Sequence, residues 1–348
     1  MLSEYTKNVA KKYDIKCGNY TKLIPTLDNK YNYVIHERNL RQAVDAGLKV
    51  TKIHKVLQFD QKPWIKDYIE FNTNKRKQAK NDFEKNFFKL MNNSFFGKTM
   101  EDKRKRVNVK LVTSTKMLDK YASKPTYACS KIFNENLVAV HNMQDKIVLD
   151  KPIYVGFSIL DISKTLMYDF HYNFIKQEYP ESDSILHYMD TDSLIYTITT
   201  KDIYKDMYKN KEYFDLSDIF IDKLIKYKDD SNKKVIGKMK MEYINSPISE
   251  FIGLKSKMYS VKFDSGEESK RAKGIAYSVT KNDLRHEMYN NTLETKGRMY
   301  SRMNAIRSIK HHLYTITMNK ISLSAYDDER YILKDGITSH AYGHYKLE

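Results

Sequence analysis

Apolar and polar residues alternate on both sides of an acidic pair near the middle of the chain. The alternation over residues 185–189 and 193–198 predicts two β-strands with a bend at Asp190-Thr191-Asp192. Side chains two residues apart on an extended backbone project to the same side, so these two carboxylates would repel each other. The pair alone leaves two interpretations open: an acidic hairpin turn that faces water, or a site for a divalent cation.

Helical periodicity and short apolar runs divide the rest of the chain. Helices are predicted over residues 38–46, over most of residues 63–98, within residues 151–175 and over most of the chain from residue 280. Strands are predicted for the runs YNYVIH and LKVTKIHKVLQF within residues 31–60, among short loops over residues 104–150, and in a basic segment at residues 235–263. A polar stretch over residues 226–234 separates that basic segment from the acidic hairpin.

A stripe of cationic, amide and aromatic side chains runs along the second half of the 63–98 segment. Its members are spaced by four, four and three residues, as on one helix face: Lys85, Lys89, Asn93 and Phe96. Such a stripe suits a nucleoside triphosphate, because lysines bind phosphates, amides form hydrogen bonds and aromatic rings stack on bases. The alternative is an exposed helix face that carries an incidental aromatic residue.

Two further cations, Arg76 and Lys80, lie one helical turn apart earlier in the same segment. Nine residues separate Lys80 from Lys89, so one unbroken helix would put these two lysines on opposite sides. A chain reversal at Asn81-Asp82 would instead produce an antiparallel helical pair lined by cations.

A third stretch, GLKSKMYSVKF at residues 253–263, alternates polar and apolar residues. On a single strand, Lys255, Lys257 and Tyr259 would share one face. That face could follow a nucleic-acid backbone, with the tyrosine against a sugar or base. A half-buried strand with solvated lysines is the alternative.

Composition narrows the range of partners. The chain has 348 residues and a net charge of +17, and an excess of that size favours polyanions such as nucleic acid. A coding sequence rich in A and T would also enrich Lys, Asn, Ile and Tyr, so charge alone does not decide. The sequence predicts no membrane span and no signal peptide, and Cys17 and Cys129 form no disulfide framework or zinc spacing. These features predict a protein that is not secreted and works inside the cell, in the nucleus or cytoplasm of its host.

Two of these stretches resemble motifs of family B DNA polymerases. YMDTDS at residues 188–193 is similar to the YxDTDS motif of that family. KLMNNSFFG at residues 89–97 is similar to its KxxxNSxYG motif, with Phe96 in place of the usual tyrosine.

The remaining stretches extend the resemblance over nearly the whole chain. Arg76 and Lys80 resemble the cationic pair on the partner finger helix, and Lys257-Met258-Tyr259 resembles the KxY motif where palm meets thumb. The order and spacing agree with the family. The protein-primed branch is the most similar, especially polymerases of Maverick/Polinton transposons and related viruses.

The resemblance implies an α+β fold, a polymerase right hand with a partial palm built on an antiparallel sheet, helical fingers and a thumb. It implies an N-terminal partial palm or insertion region at residues 1–62, fingers at 63–98, a palm at 99–234, and a palm–thumb junction and thumb at 235–348. Within the palm, residues 104–135 would form a strand-displacement insertion and residues 188–193 the metal motif.

The resemblance also implies the chemistry, which is template-directed nucleotidyl transfer from a dNTP to a primer 3′-hydroxyl with two Mg²⁺ ions, or Mn²⁺ as a substitute. Asp192 would be the principal metal ligand with Asp190 beside it. Lys89 would act in catalysis by neutralising the charge of the incoming triphosphate and protonating the leaving group. The implied nucleotide-binding residues are Arg76, Lys80, Lys89, Asn93 and Phe96, and the implied primer- and DNA-binding residues are Lys257, Tyr259, Tyr188, Ser94 and Gly97. The implied partners are a DNA primer–template, dNTPs and a terminal protein primer.

One departure from the family affects the predicted activity. Family B polymerases carry another catalytic aspartate in a DxxSLYPS-like motif before the finger helices, and residues 1–88 contain no such motif. The proofreading exonuclease domain is absent from the sequence as well. We therefore expect this chain to have little or no activity without an upstream polymerase segment. The competing hypothesis is a catalytically inactive nucleic-acid-binding remnant of a transposon or viral polymerase.

Overall fold

The fold combines α-helices with antiparallel strands. The computed structural model describes residue 11, residues 24–243 and residues 246–347. From residue 24 onward the α-helices are α1 (Glu37–Asp45), α2 (Lys66–Gln78), α3 (Asp82–Thr99), α4 (Thr115–Ala122), α5 (Ile153–Asp169), α6 (Lys176–Glu178), α7 (Ile203–Lys209), α8 (Tyr277–Asn282) and α9 (His286–Glu294). The strands are β1 (Asn108–Val112), β2 (Tyr127–Asn134), β3 (Leu137–Asn142), β4 (Ser184–Asp190), β5 (Ser193–Ile198), β6 (Ile248–Lys255), β7 (Met258–Phe263), β8 (Glu268–Ala272), β9 (Arg298–Ile309), β10 (His312–Ser324), β11 (Tyr331–Ile332) and β12 (Ser339–His340).

Every pairing between these strands is antiparallel. They form two three-stranded sheets, in the orders β1-β3-β2 and β6-β7-β8, and three two-stranded ones, β4-β5, β9-β10 and β11-β12. The α+β class predicted for the chain agrees with this mixture.

The β4–β5 hairpin rests on a hydrophobic cluster. A π-helical turn, Phe170–Ile175, continues α5 and supplies much of that cluster. Leu194, Tyr196 and Ile198 alternate along β5 and pack against it, because side chains two residues apart share a face. The Tyr196 hydroxyl also forms a hydrogen bond of 2.8 Å with His171 Nδ1. The acidic turn therefore comes directly before a strand, β5, that packs on this cluster through one of its faces.

A second cluster joins the β6–β7–β8 sheet to α9 and the end of the long β9–β10 ribbon. Its members are Ile252, Leu254, Met258, Ala272, Leu284, Tyr289 and Leu323. Tyr289 is fully buried and donates from its hydroxyl to the carbonyl of Arg271 at 3.0 Å. Burial raises the pKa of Tyr289 well above its ordinary value, so the ring remains neutral.

Helices α2 and α3 form an antiparallel hairpin, so of the two arrangements considered for the cations the structure contains the chain reversal, at residues 79–81. Asn81 caps α3, since its side-chain oxygen accepts from the Glu84 N–H at 2.8 Å. The buried Asn72 amide donates to Asn92 Oδ1 at 2.9 Å, which joins the two helices across their interface.

The second helix of this hairpin packs closely against α5 at a glycine. A Cβ added at Gly156 would overlap the side chains of Met100 and Thr99. The missing side chain of Gly156 thus lets the end of α3 lie close to α5. On the other side of α5, the buried Asp161 carboxylate accepts from the His36 N–H at 2.8 Å, which holds the start of α1.

Three predictions from the pattern were wrong. The apolar runs within residues 31–60 form no strand, and residues 48–62 are exposed with no regular helix or strand. The segment 253–263 is a hairpin rather than one strand, because it turns at Ser256-Lys257. The chain from residue 280 was predicted to be mainly helical, but after α9 it forms the long β9–β10 ribbon, in which every second residue at the start of β9 is half-buried. No helix within the described ranges is long and apolar enough to cross a membrane.

We expect Gly156→Ala to lower the stability of the protein by about 1–3 kcal/mol, because the added methyl group overlaps Thr99 and Met100 at the α3–α5 contact. The midpoint of urea unfolding, followed by circular dichroism, measures this change. Gly97→Ala in α3 is the matched control. Its added Cβ meets no atom within 4 Å, so it should be neutral or stabilise by up to about 1 kcal/mol. Equal midpoints for the parent and Gly156→Ala would contradict the close packing.

Candidate active site

The acidic pair lies at the tip of the β4–β5 hairpin. Asp190 ends β4 and pairs with Ser193 at the start of β5. Thr191 adopts a left-handed conformation with φ of 53°, and the Asp192 N–H donates to the Asp190 carbonyl at 2.6 Å. Asp192 is exposed to solvent, and the Asp190 side chain is 28% exposed. The predicted bend between two strands is confirmed.

A second turn, between β6 and β7, meets this hairpin through Lys257. Its ammonium Nζ donates to Asp190 Oδ2 at 2.6 Å, and its backbone N–H donates to the Tyr188 hydroxyl at 2.8 Å. Lys257 makes both contacts from a left-handed conformation with φ of 56°. The hydrogen bond to Asp190 raises the pKa of Lys257 above its ordinary value, so the ammonium remains charged.

Aromatic rings fill the space behind this ion pair. The Tyr188 and Tyr259 ring centroids lie 4.8 Å apart, and Phe251 lies 6.1 Å from Tyr188 and 5.9 Å from Tyr259. Burial raises the pKa of Tyr259 above its ordinary value, so its hydroxyl stays protonated. The residues 188–193 and 257–259, distant in sequence, therefore form one site.

The prediction that Lys255, Lys257 and Tyr259 share one strand face is wrong, because the β6–β7 hairpin turns between them. Lys255 ends β6, Lys257 lies in the turn and Tyr259 belongs to β7. Lys255 donates instead to the carbonyl of Tyr326, at 3.5 Å. The three residues thus share no single strand face, because the backbone reverses between them.

The helical hairpin carries the second group of predicted residues. Arg76 and Lys85, from α2 and α3, both lie near Lys234, whose Nζ donates to the Arg76 carbonyl at 3.1 Å. Burial and these two positive neighbours lower the pKa of Lys234. The Nε of Arg76 is buried and has no hydrogen-bond partner among the described residues. The structure therefore gathers cations from both helices beside residue 234.

The other predicted nucleotide contacts lie along the same hairpin. Lys80, Lys89, Asn93, Ser94 and Gly97 are exposed, and Phe96 is half-buried. The Lys80 backbone N–H donates to Glu84 Oε2 at 3.0 Å, which fixes the start of the turn between the helices. These side chains are thus accessible to a ligand from solvent.

Sequence reasoning missed the segment that packs beside these cations. The polar residues 226–234 predict only a separator between two segments, yet Lys234 contacts α2 at the Arg76 carbonyl. Burial alone would raise the pKa of Asp218, but a hydrogen-bonded ion pair with Lys240 and the charges of Lys85 and Lys234 lower it. An isolated polar run gives no signal of such a contact, because the partners are distant in sequence.

The donor set at the hairpin tip fits a hard cation in part. Asp190 and Asp192 offer carboxylate oxygens, which Mg²⁺ and Mn²⁺ prefer, and Mg²⁺ is often held by one or two carboxylates plus substrate phosphates. Over residues 24–243 and 246–347, no third Asp, Glu, His or Cys joins them in a group tight enough to share an ion. One of the Asp190 oxygens, Oδ2, already forms an ion pair with the Lys257 ammonium at 2.6 Å.

Comparison with known proteins gives the family. The family model described as DNA polymerase type B, organellar and viral, matches residues 2–177, which is just over half of the chain. No curated protein and no solved structure matches. The matched residues include α2, α3 and α5, and they end before the acidic hairpin. The chain belongs to the family of organellar and viral type B DNA polymerases.

Proposed function

We propose that this chain contributes the nucleotide-binding groups and part of the metal-binding groups of a template-directed DNA polymerase of the protein-primed branch. The observation that carries the proposal is the contact of Lys257 with Asp190 and Tyr188. It joins the two stretches, residues 188–193 and 257–259, that resemble the catalytic and primer-holding motifs of family B enzymes. We assign the α2–α3 hairpin to fingers, residues 99–234 to a palm and residues 235–348 to the palm–thumb junction and thumb.

In this proposal Asp192 is the principal ligand of Mg²⁺, and Asp190 becomes a ligand once Lys257 leaves it. When bound, two such ions would activate the primer 3′-hydroxyl and stabilise the pyrophosphate leaving group. Lys257 is then available to a phosphate of the primer strand, with Tyr188 and Tyr259 packed behind it. One lysine would thus exchange a carboxylate for a nucleic-acid phosphate.

The α2–α3 hairpin binds the incoming triphosphate in this proposal. Lys89, Arg76 and Lys80 would neutralise the charge of the triphosphate, and Lys89 would protonate the leaving group. Asn93 and Phe96 line the nucleotide pocket, and Ser94 and Gly97 contact DNA. Phe96 has no hydroxyl, so one polar contact that tyrosine would provide is lost.

The insertion and the priming mode belong to the same proposal. The sheet β1-β3-β2 with α4 occupies residues 108–142 as a local unit, which supports an inserted element that separates DNA strands. The terminal protein primer and an upstream polymerase segment that supplies the missing carboxylate are partners implied by the family resemblance.

A second candidate function is nucleic-acid binding without catalysis. It is favoured because, within the described part of the chain, no third Asp, Glu, His or Cys lies close enough to Asp190 and Asp192 to share a metal ion with them. A binding protein needs the net charge of +17 but has no need of a triphosphate site.

Lys89→Met should weaken dNTP binding about tenfold or more, because it removes a charge-assisted hydrogen bond to phosphate. Binding of a fluorescent dNTP in Mg²⁺, followed by anisotropy, measures this change. Lys98→Met is the matched control, since Lys98 lies on the same helix and pairs with Glu101 at 3.4 Å. If the two variants bind dNTP equally, the nucleotide site is not on this helix face and the binding-only function is favoured.

The chain on its own should bind a primer–template but extend it little or not at all in Mg²⁺. Two carboxylates at one turn are too few to hold two ions at about 3.5–4 Å. A gel assay of primer extension, together with the dependence of DNA affinity on salt, tests both parts. Template-directed extension by residues 1–348 that Asp192→Asn abolishes would contradict this expectation.

A further inference from the structure

A cysteine and two histidines converge far from the acidic turn. Cys129 on β2 stands directly opposite His141 on β3 in the antiparallel register, so their side chains share one face of the sheet. His311, at the tip of the β9–β10 ribbon, reaches the same point. All three residues are half-buried, and among the described residues they are the one His, Cys, Asp and Glu group with metal-binding spacing.

The distances agree with tetrahedral coordination. His311 Nε2 lies 3.3 Å from His141 Nδ1, and Cys129 Sγ lies 4.0 Å from the same His141 atom. Around a tetrahedral zinc ion, with Zn–N of about 2.0–2.1 Å and Zn–S of about 2.3 Å, two nitrogens lie about 3.3 Å apart and a sulfur and a nitrogen about 3.6 Å apart. The nitrogen pair already has this separation, the sulfur lies about 0.4 Å further from His141 Nδ1 than in such a site, and all three ligand atoms lie within 4.8 Å of one another.

The ligand chemistry is distinct from that of the acidic turn. A thiolate with two imidazoles selects zinc or another borderline transition metal, whereas carboxylates select Mg²⁺ or Mn²⁺. We propose that Cys129, His141 and His311 form a zinc site that fastens the tip of the β9–β10 ribbon to the β1–β3–β2 sheet. Water takes the fourth position, as in zinc sites with three protein ligands.

A metal ion at this point would hold the tip of the β9–β10 ribbon, which carries a tight turn and exposed apolar residues. Lys310 and His311 form the two-residue turn, with left-handed φ angles of 48° and 66° that ordinarily favour Asn and Gly. Ile306, Ile309 and Leu313 are exposed near this tip. Beside the cluster, Lys131 Nζ donates to His312 Nδ1 at 3.0 Å. The side chains of His311 and His312 thus join the tip of the ribbon to the β1–β3–β2 sheet.

Without a metal, the same three groups would be a hydrogen-bonded set, with one imidazole donating to the other. Titration of the metal-free full chain with Co²⁺ separates these alternatives, because a thiolate bound to cobalt gives a near-ultraviolet charge-transfer band that carboxylate sites lack. We expect one Co²⁺ per chain with this band, displaced by Zn²⁺. Cys129→Ser should abolish the band, and His311→Asn should weaken Zn²⁺ binding about tenfold or more.

Matched controls are available within the chain. His312→Asn changes the neighbouring histidine, and Cys17→Ser changes the other cysteine, which lies outside the described residues. Both should keep the band and the Zn²⁺ affinity of the parent. Circular dichroism checks that each variant is folded.

Hydrogen exchange gives a second measurement that does not depend on cobalt. Zn²⁺ should slow amide exchange over residues 308–313 several-fold in the parent and leave it unchanged in Cys129→Ser. A parent without the charge-transfer band, a band that survives Cys129→Ser, or exchange that Zn²⁺ does not alter would each overturn the proposal.

Discussion

The ion pair between Lys257 and Asp190 is the contact on which the candidate site depends. It joins the β4–β5 turn to the β6–β7 turn and neutralises one of two neighbouring carboxylates. The Lys257 side chain is 51% exposed, and an ion pair so open to water stabilises a protein by about 0–1 kcal/mol. A pair this weak adds little to the stability of the contact between the two turns, so a metal ion or a phosphate could replace it at a small cost in free energy.

Apolar packing elsewhere in the fold holds the β4–β5 turn, with Asp190 and Asp192, in a defined position. A two-stranded hairpin is marginally stable on its own, and β4–β5 gains its support from the cluster around the π-helical turn beneath β5. The Tyr188, Phe251 and Tyr259 rings pack on the other side, next to the backbone of Lys257. The acidic turn is therefore fixed by apolar packing, while its charges remain exposed for binding.

Local signals in the sequence predicted local structure well. The acidic bend, the reversal capped by Asn81 and the helix within residues 151–175 all depend on neighbours close in the chain, and the structure contains each of them. Contacts between distant segments left no such signal. The Lys234 contact with α2 and the meeting of Cys129 with His311 required the tertiary fold. The β9–β10 ribbon was missed because exposed apolar residues such as Tyr300 and Ile306 break the alternation of apolar and polar residues along β9. The turn of the 253–263 hairpin was missed because Ser256-Lys257 contains no Gly, Pro, Asn or Asp to indicate a turn.

If a divalent cation binds Asp190 as proposed, it must displace the Lys257 ammonium, and titration with Mn²⁺ measures that competition. Titration followed by electron paramagnetic resonance would use a Cys129→Ser background, so that binding at the carboxylates is measured. Lys257→Met should bind Mn²⁺ about tenfold more tightly than the parent, a difference of about 1.4 kcal/mol, because Asp190 is released and a positive charge is removed. Asp192→Asn should bind more weakly, and Lys255→Met should match the parent. Equal Mn²⁺ affinity in Lys257→Met and the parent would show that Lys257 and a metal ion do not compete for Asp190.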